Sequence, residues 1–499
     1  MSTEKKNYLL PIMVMFALFF MIAFVTNFAG SMGVIVQNQF GATPAMAQLG
    51  TFANFIAYAC MGIPAGVILR RKGYKFTSLL AVTIGFIGVG IQFLSGYAES
   101  FPVYITGAFV AGFSMCLLNI VVNPMLNTLG GGGNKGNQLI QLGGSLNSIG
   151  GTIAPILLGY LIGGQVENAS VRDAAPAMII AMAIFALAFV IITLTKIPEP
   201  HMESAEEKAA RKAGKIAKDK YGPMSFRHFV LGAVAIFFYV GIEVGIPNIA
   251  NLYMTTPTIE QAETTIVAYE AQQAAKTVVA EVEAVAVVED VATPEEPAAV
   301  EVVELVAEAE VEEITVKAYE KAQSVVAGET KAGRGMSAET AGFLVGMYWF
   351  LMMCGRLLGG IIGGKVSSKV MLTTVSALAM ILVATFIYTP QNSTFVMPIV
   401  GYEVPTGVAI LFLCGLCTSV MWGGIFNLAA EGLGKYTAAA SGIFMAMVCG
   451  GGVITILQGL LVDYTSYIGS YWLIFACLGF LLFYALIGSK NVNKDIKVD

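Results

Sequence analysis

The chain has 499 residues, 56% of them hydrophobic and 12% charged, with a net charge of −5 and a mean hydropathy of +0.74. Soluble domains carry about 25% charged residues, so the composition excludes a soluble globular protein and points to an all-α membrane protein with many spans. The acidity is local: residues 257–340 hold 18 acidic and 5 basic side chains, a balance of −13, which leaves +8 for the rest.

Apolar runs long enough to cross the hydrocarbon are predicted over residues 9–37, 44–69, 76–95, 102–128, 138–163 and 174–195, and again over 228–254, 340–364, 369–389, 405–430, 437–462 and 468–488. The first begins directly after Lys5 and Lys6, has no cleavage site, and reads as a retained helix. The expected organisation is a first six-helix bundle (1–195), a linker (196–227), a second bundle (228–489) with an acidic low-complexity insert (257–340), and a tail (490–499). Low complexity and like charge predict disorder or loose helix for the insert, as a solvated spacer or a partner-docking arm.

With the N-terminus inside, the inner segments hold 21 Lys and Arg, including Arg70, Arg71, Lys72, Lys75, Lys135, Lys365 and Lys435, while the short outer loops hold only Arg172. The positive-inside rule then puts both termini in the cytoplasm of a multi-pass protein in the cell (inner) membrane. The halves also repeat. "GGTIAPILLGYLI" (150–162) and "GGGVITILQGLLV" (450–462) align without a gap at an offset of 300, both in the fifth span of their half. Such duplication, with sites at the repeat interface, is a transporter plan. All seven cysteines lie in apolar runs, so the C-x-x-C of Cys414 and Cys417 reads as packing.

"VVNPMLNTLG" with "LNSIGGTIAP", together with "IPAGVILRRKGYK", "YVGIEV", "YWFLMMCGRLLGG" and "IFNLAAEGLGKYTAAASG", resembles the fucose permease and glucose/galactose transporter family of the major facilitator superfamily. The resemblance implies twelve helices in two pseudo-symmetric bundles and sugar uptake by alternating access, often proton-coupled. It also implies a gating role for Arg70, Arg71 and Lys72. The chain departs from the family where members carry polar groups in the first half. Gly30 stands in place of an Asp, Asn119 in place of a Glu and Gly144 in place of a Gln.

One acidic residue lies well within a span. Glu243 is 16 positions past Arg227, about 24 Å along a helix, where charge costs several kcal/mol. It is the candidate proton-coupling residue. The competing reading is an ion pair with Arg356, the only basic residue within a span, but counting from Lys365 leaves an axial gap of about 11 Å. Arg356 is therefore expected at a gate. Tyr239 and Asn251 share the Glu243 face, Asn248 lies beside them, and Pro247 is expected to loosen the helix into a broken form. Sugar hydroxyls need amide, carboxyl and hydroxyl partners with aromatic platforms. The first-half candidates are Asn27, Asn119, Asn123, Gln141 and Asn147; the second half adds Trp422, Asn427 and Gln458. Helix-to-helix bonding is the alternative for each.

No P-loop, H-E-x-x-H or nucleophile elbow occurs, and the two histidines are His201 and His228. A non-enzymatic chain without cofactor, metal or nucleic acid is expected, acting as a monomer in the bilayer on a small sugar and H⁺. An uncoupled or Na⁺-coupled facilitator, an efflux transporter and a non-transporting sensor are the alternatives.

Overall fold

The computed structural model describes residues 8–130, 133–162, 169–199, 221–288, 316–362, 366–398, 401–433, 436–493 and 496. Expectations resting on His201, most of the linker, Lys365 and Lys435 fall outside these residues. Eleven of the described helices are long and apolar enough to cross a membrane. One of them, Leu49–Ala98, has 50 residues and would run about 75 Å unbroken, more than twice the hydrocarbon thickness. It turns at Gly73, whose φ of 85° is in a region that favours glycine. The Glu199 carboxylate accepts the backbone N–H groups of Tyr74 and Lys75 and caps the helix that restarts there. The Lys75 ammonium donates to the carbonyls of Thr193 (2.7 Å) and Thr195 (3.1 Å).

Counting that element twice makes twelve spans: α1 (Leu9–Gln39), α2 (49–72), α3 (74–98), α4 (Phe101–Leu129), α5 (Gly133–Ile162), α6 (Ala175–Leu194), α7 (Arg227–Thr255), α8 (Ala338–Ile362), α9 (Ser368–Tyr388), α10 (Thr406–Ala430), α11 (Ala439–Tyr464) and α12 (Tyr471–Gly488). The sequence spans match these in number and order. Arg70, Arg71 and Lys72 lie exposed at the α2–α3 turn, with Lys72 5.7 Å from the Phe76 ring centre.

The repeat at offset 300 is a repeat of contacts. A Cβ at Gly150 of α5 would lie 2.3 Å from the Phe20 carbonyl oxygen of α1, and one at Gly450 of α11 would lie 1.9 Å from the Phe237 carbonyl oxygen of α7. Gly159 packs on Ala338 at the start of α8, and Gly459 packs on Pro44 and Ala45 just before α2. Each α5-type helix therefore packs on the first helix of its own half and the second helix of the other. Membrane helices lack a hydrophobic drive to associate, so close backbone approach at small residues carries the packing.

These cross-half contacts tighten toward the end of the bundle away from the termini. Along α5 and α8, a Cβ at Gly159 would lie 2.4 Å from the Ala338 oxygen, one at Gly144 would lie 3.5 Å from Arg356 Cδ, and one at Gly360 would lie 4.0 Å from Gln141 Cβ. Along α2, a Cβ at Gly62 would lie 2.6 Å from the Ala446 nitrogen, while Gly66, one turn nearer the termini, meets nothing within 4 Å. The halves are pressed together at one end and diverge at the other.

The segment between α7 and α8, expected as disorder or loose helix, is helical at both ends where it is described. Helices Ile259–Val288 and Val316–Val326 flank residues 289–315, which are not described. The two helices stack Tyr269 on Tyr319 (4.4 Å between ring centres) and bury Ala262 against Ala322 and Val325. This small apolar core and ring stack outweigh the acidic repulsion near the base of the insert.

Candidate functional site

Helix α7 carries Glu243 and runs unbroken through Pro247. The expected break does not form. Proline removes one N–H, here the one that would bond the Glu243 carbonyl four residues back. The Tyr348 hydroxyl of α8 donates to that carbonyl at 3.1 Å, and Tyr471 of α12 donates to the Ile246 carbonyl at 2.8 Å. The Tyr348 bond from α8 thus replaces the missing one.

Glu243 pairs directly with Arg356, Oε1 to a guanidinium nitrogen at 3.3 Å, with side-chain exposures of 15% and 13%. This overturns the 11 Å gap. Counting along helices assumes a common starting plane and no tilt, whereas spans tilt by about 20° and arginine side chains reach far. Arg356 does more than pair. Its other terminal nitrogen donates to the Gly144 carbonyl (2.5 Å), Ser148 Oγ (2.9 Å) and Asn147 Oδ1 (3.2 Å), all on α5. One guanidinium therefore ties α5 of the first half to α7 and α8 of the second. A buried cation is tolerable only with such a full set of partners.

Several expected residues gather here. Tyr239, one turn before Glu243, is buried beside its carboxylate without a hydrogen bond of regular geometry, and its ring is 6.1 Å from Trp422. Gln141 Nε2 approaches Gly423, next to Trp422. Asn147 also donates to the Phe19 carbonyl at 2.9 Å. Asn27 donates to the Ala23 carbonyl at 2.9 Å and lies across Gly151 from Trp349. Sequence reasoning missed Ser148, Tyr348 and Trp349. The first two have short polar side chains or lie in an aromatic pair, with no spacing that marks them.

Other expected residues lie apart from this group. Asn119 donates to the Tyr58 hydroxyl (3.0 Å) and the Met115 carbonyl (3.1 Å), and Asn123 donates to the Asn119 carbonyl (3.0 Å). Asn248 faces α1 and α2, donating to Gln48 Oε1 (3.2 Å) and Thr51 Oγ1 (3.3 Å). Asn251 lines a narrow cleft with Ser31, Thr255 and Gly342. Gln458 is buried between α11 and α7, its Oε1 2.6 Å from where a Cβ of Gly245 would be. Asn427 is exposed and reaches Ser368 at 3.5 Å, away from the Glu243 group. His228 bonds the Glu431 carbonyl at 2.8 Å, where α7 begins. Among the described residues, no group of three His, Cys, Asp or Glu is placed to hold a metal ion.

Residues 14–271, just over half of the chain, match the Major Facilitator Superfamily. The chain belongs to that superfamily. It is 23% identical over 491 residues to the glucose/galactose transporter of Brucella abortus (biovar 1, strain 9-941), covering 98% of this chain and 97% of that one. It is 22% identical over 263 residues to the L-fucose-proton symporter of Escherichia coli (strain K12), covering 48% and 58%. These relatives place it with the fucose permease and glucose/galactose transporter family. The crystal structure of the E. coli fucose:proton symporter superposes with a TM-score of 0.58 at 18% identity, covering 97% of this chain and all of that one. The inward-open xylose transporter of E. coli also gives 0.58, at 10% identity, covering 97% and 95%.

Within this superfamily member, two of the departures from the family pattern are filled from the opposite half. Where Gly30 stands for an acid, a Cβ would lie 2.6 Å from Asn248 Oδ1. Where Gly144 stands for a glutamine, the space holds the Arg356 side chain. The third, Asn119, is satisfied within its own half by Tyr58. At Gly30 and Gly144 the opposite half thus places an amide from α7 and a guanidinium from α8.

Proposed function

We propose that this chain imports a monosaccharide across the cytoplasmic membrane by alternating access, coupled to H⁺ through Glu243. The observation that carries the proposal is the Glu243–Arg356 pair of the second half, whose guanidinium also bonds α5 of the first half. A proton on Glu243 removes the charge that Arg356 faces and leaves the guanidinium to α5 alone. Protonation thus changes the partners of the one guanidinium that ties the halves together, and a link of that kind is what coupling requires. Arg356 acts as both gate and counter-charge. Asn27, Gln141, Asn147, Tyr239 and Trp422 surround the pair as sugar-contacting candidates, with Asn119 and Asn123 on the first-half wall. Asn248, Asn251 and Gln458 lie further along α7 and α11, while Asn427 contributes to the end of the bundle that bears the termini.

The excess of Lys and Arg on one side supports cytoplasmic termini, so the diverging end faces the cytoplasm and the compressed end faces outward. Arg70, Arg71 and Lys72 belong to the cytoplasmic gate, and the chain works as a monomer.

The test is uptake of a panel of labelled monosaccharides by cells expressing the chain, with and without a protonophore. One or more hexoses should accumulate, and the protonophore should abolish accumulation. Glu243→Gln should retain counterflow exchange yet lose accumulation. Accumulation that survives this substitution sinks the coupling role. Accumulation that needs Na⁺ instead would reassign the ion.

A further inference from the structure

The segment between α7 and α8 is fastened at both ends of the outer seam. On its own half, residues 333–336 return along the last turn of α7. The N–H groups of Gly333, Arg334, Gly335 and Met336 donate to the carbonyls of Pro257, Tyr253, Thr256 and Met254 at 2.7–2.9 Å. Across the seam, the Lys321 ammonium donates to the Asn38 side-chain oxygen at the end of α1. Asn38 is buried, and helix 316–326 packs on this part of α1. Asp463, at the end of α11, lies against Thr43 and Ala45 of the first half, with Lys331 of the insert nearby. Beneath this layer Gly459 presses on Ala45, and Asn248 bonds Gln48 and Thr51.

We infer that residues 316–336 of this insert are a strap that holds the outward gate shut, with Lys321 on Asn38 as its fastening and Asp463 of α11, against Thr43 and Ala45, as a second contact across the same seam. To open outward, the halves must part between α2 and α11 and between α1 and the insert, so these contacts must break. The Lys321–Asn38 bond has a charged donor and is stronger than a neutral one. Both contacts exist only in the closed form, so they bias the equilibrium toward it. The strap sets how often the site is offered to the outside without touching the sugar. Of the reading above, the inference uses only which end is outside.

The test reads exposure of the seam, not transport. Ser31→Cys places a thiol in the narrow cleft below the strap, and a membrane-impermeant maleimide is applied to intact cells, with the parent chain as the background. Lys321→Ala with Asp463→Asn should raise the labelling rate about tenfold or more. Lys321→Ala alone, a change on a partly exposed helix, should raise it about threefold, and it decides the matter if the double variant does not reach the membrane. Glu263→Gln, on an exposed part of the same insert, should leave the rate as it was. Equal labelling rates in the fastened and unfastened chains overturn the strap. Failure of the parent chain to accumulate any sugar, with labelling behaving as stated, would overturn the transport reading instead.

Discussion

The Glu243–Arg356 pair allows a double-mutant test whose size follows from the structure. The charges stand 3.3 Å apart. At an effective dielectric of about 20, their attraction is about 5 kcal/mol. Removing one partner of a buried pair costs about 3–5 kcal/mol because the other charge is left behind. The two substitutions should not be equal. In Glu243→Gln, Arg356 keeps Gly144, Asn147 and Ser148 as acceptors, so the loss should be near the lower end, about 3 kcal/mol. In Arg356→Met the carboxylate loses its cation, and three α5 groups lose their donor, so the loss should be near about 5 kcal/mol. The double variant should lose clearly less than the sum, with a coupling of about 3 kcal/mol. Equilibrium unfolding of the purified protein in one detergent, for all four chains, measures this. Additive losses, with a coupling under about 0.5 kcal/mol, would refute the pair as an energetic unit.

Other outcomes follow from single contacts. Tyr348→Phe strips the hydroxyl that answers the Pro247 gap and should cost about 1–2 kcal/mol, read as a lower melting temperature; an unchanged melt would contradict that bond's role. Gly30→Asp drives a side chain into Asn248 and should abolish uptake, with partial recovery when Asn248→Gly is added; if no pairing of the two changes recovers, the proposed replacement is wrong. Gly150→Val and Gly450→Val meet backbone carbonyls at matching places in the two halves and should both lose membrane expression. Gly66→Val, with open space around it, should express normally. Reversed expression levels would break the symmetry argument.

Glu243 was legible because one carboxylate in long apolar runs stands out against its surroundings. The contact repeat was legible from identity at a constant offset, since glycines placed for close backbone approach cannot drift. The partner of Glu243 was not, because helix tilt and the reach of a guanidinium are invisible to residue counting. The filling of Gly30 and Gly144 was equally hidden. A glycine reads as an absence, and only the opposite helix shows what occupies the space.

By itself, the sequence determined the spans, their number, the duplication and the charge asymmetry between the two faces, all set by hydrocarbon thickness and by local composition. Only the tertiary structure decided which polar groups meet. In a membrane every buried polar atom must find a partner, and the partners here lie far along the chain, more than 100 residues away for Glu243, within its own half, and about 200 for Asn248, in the other half.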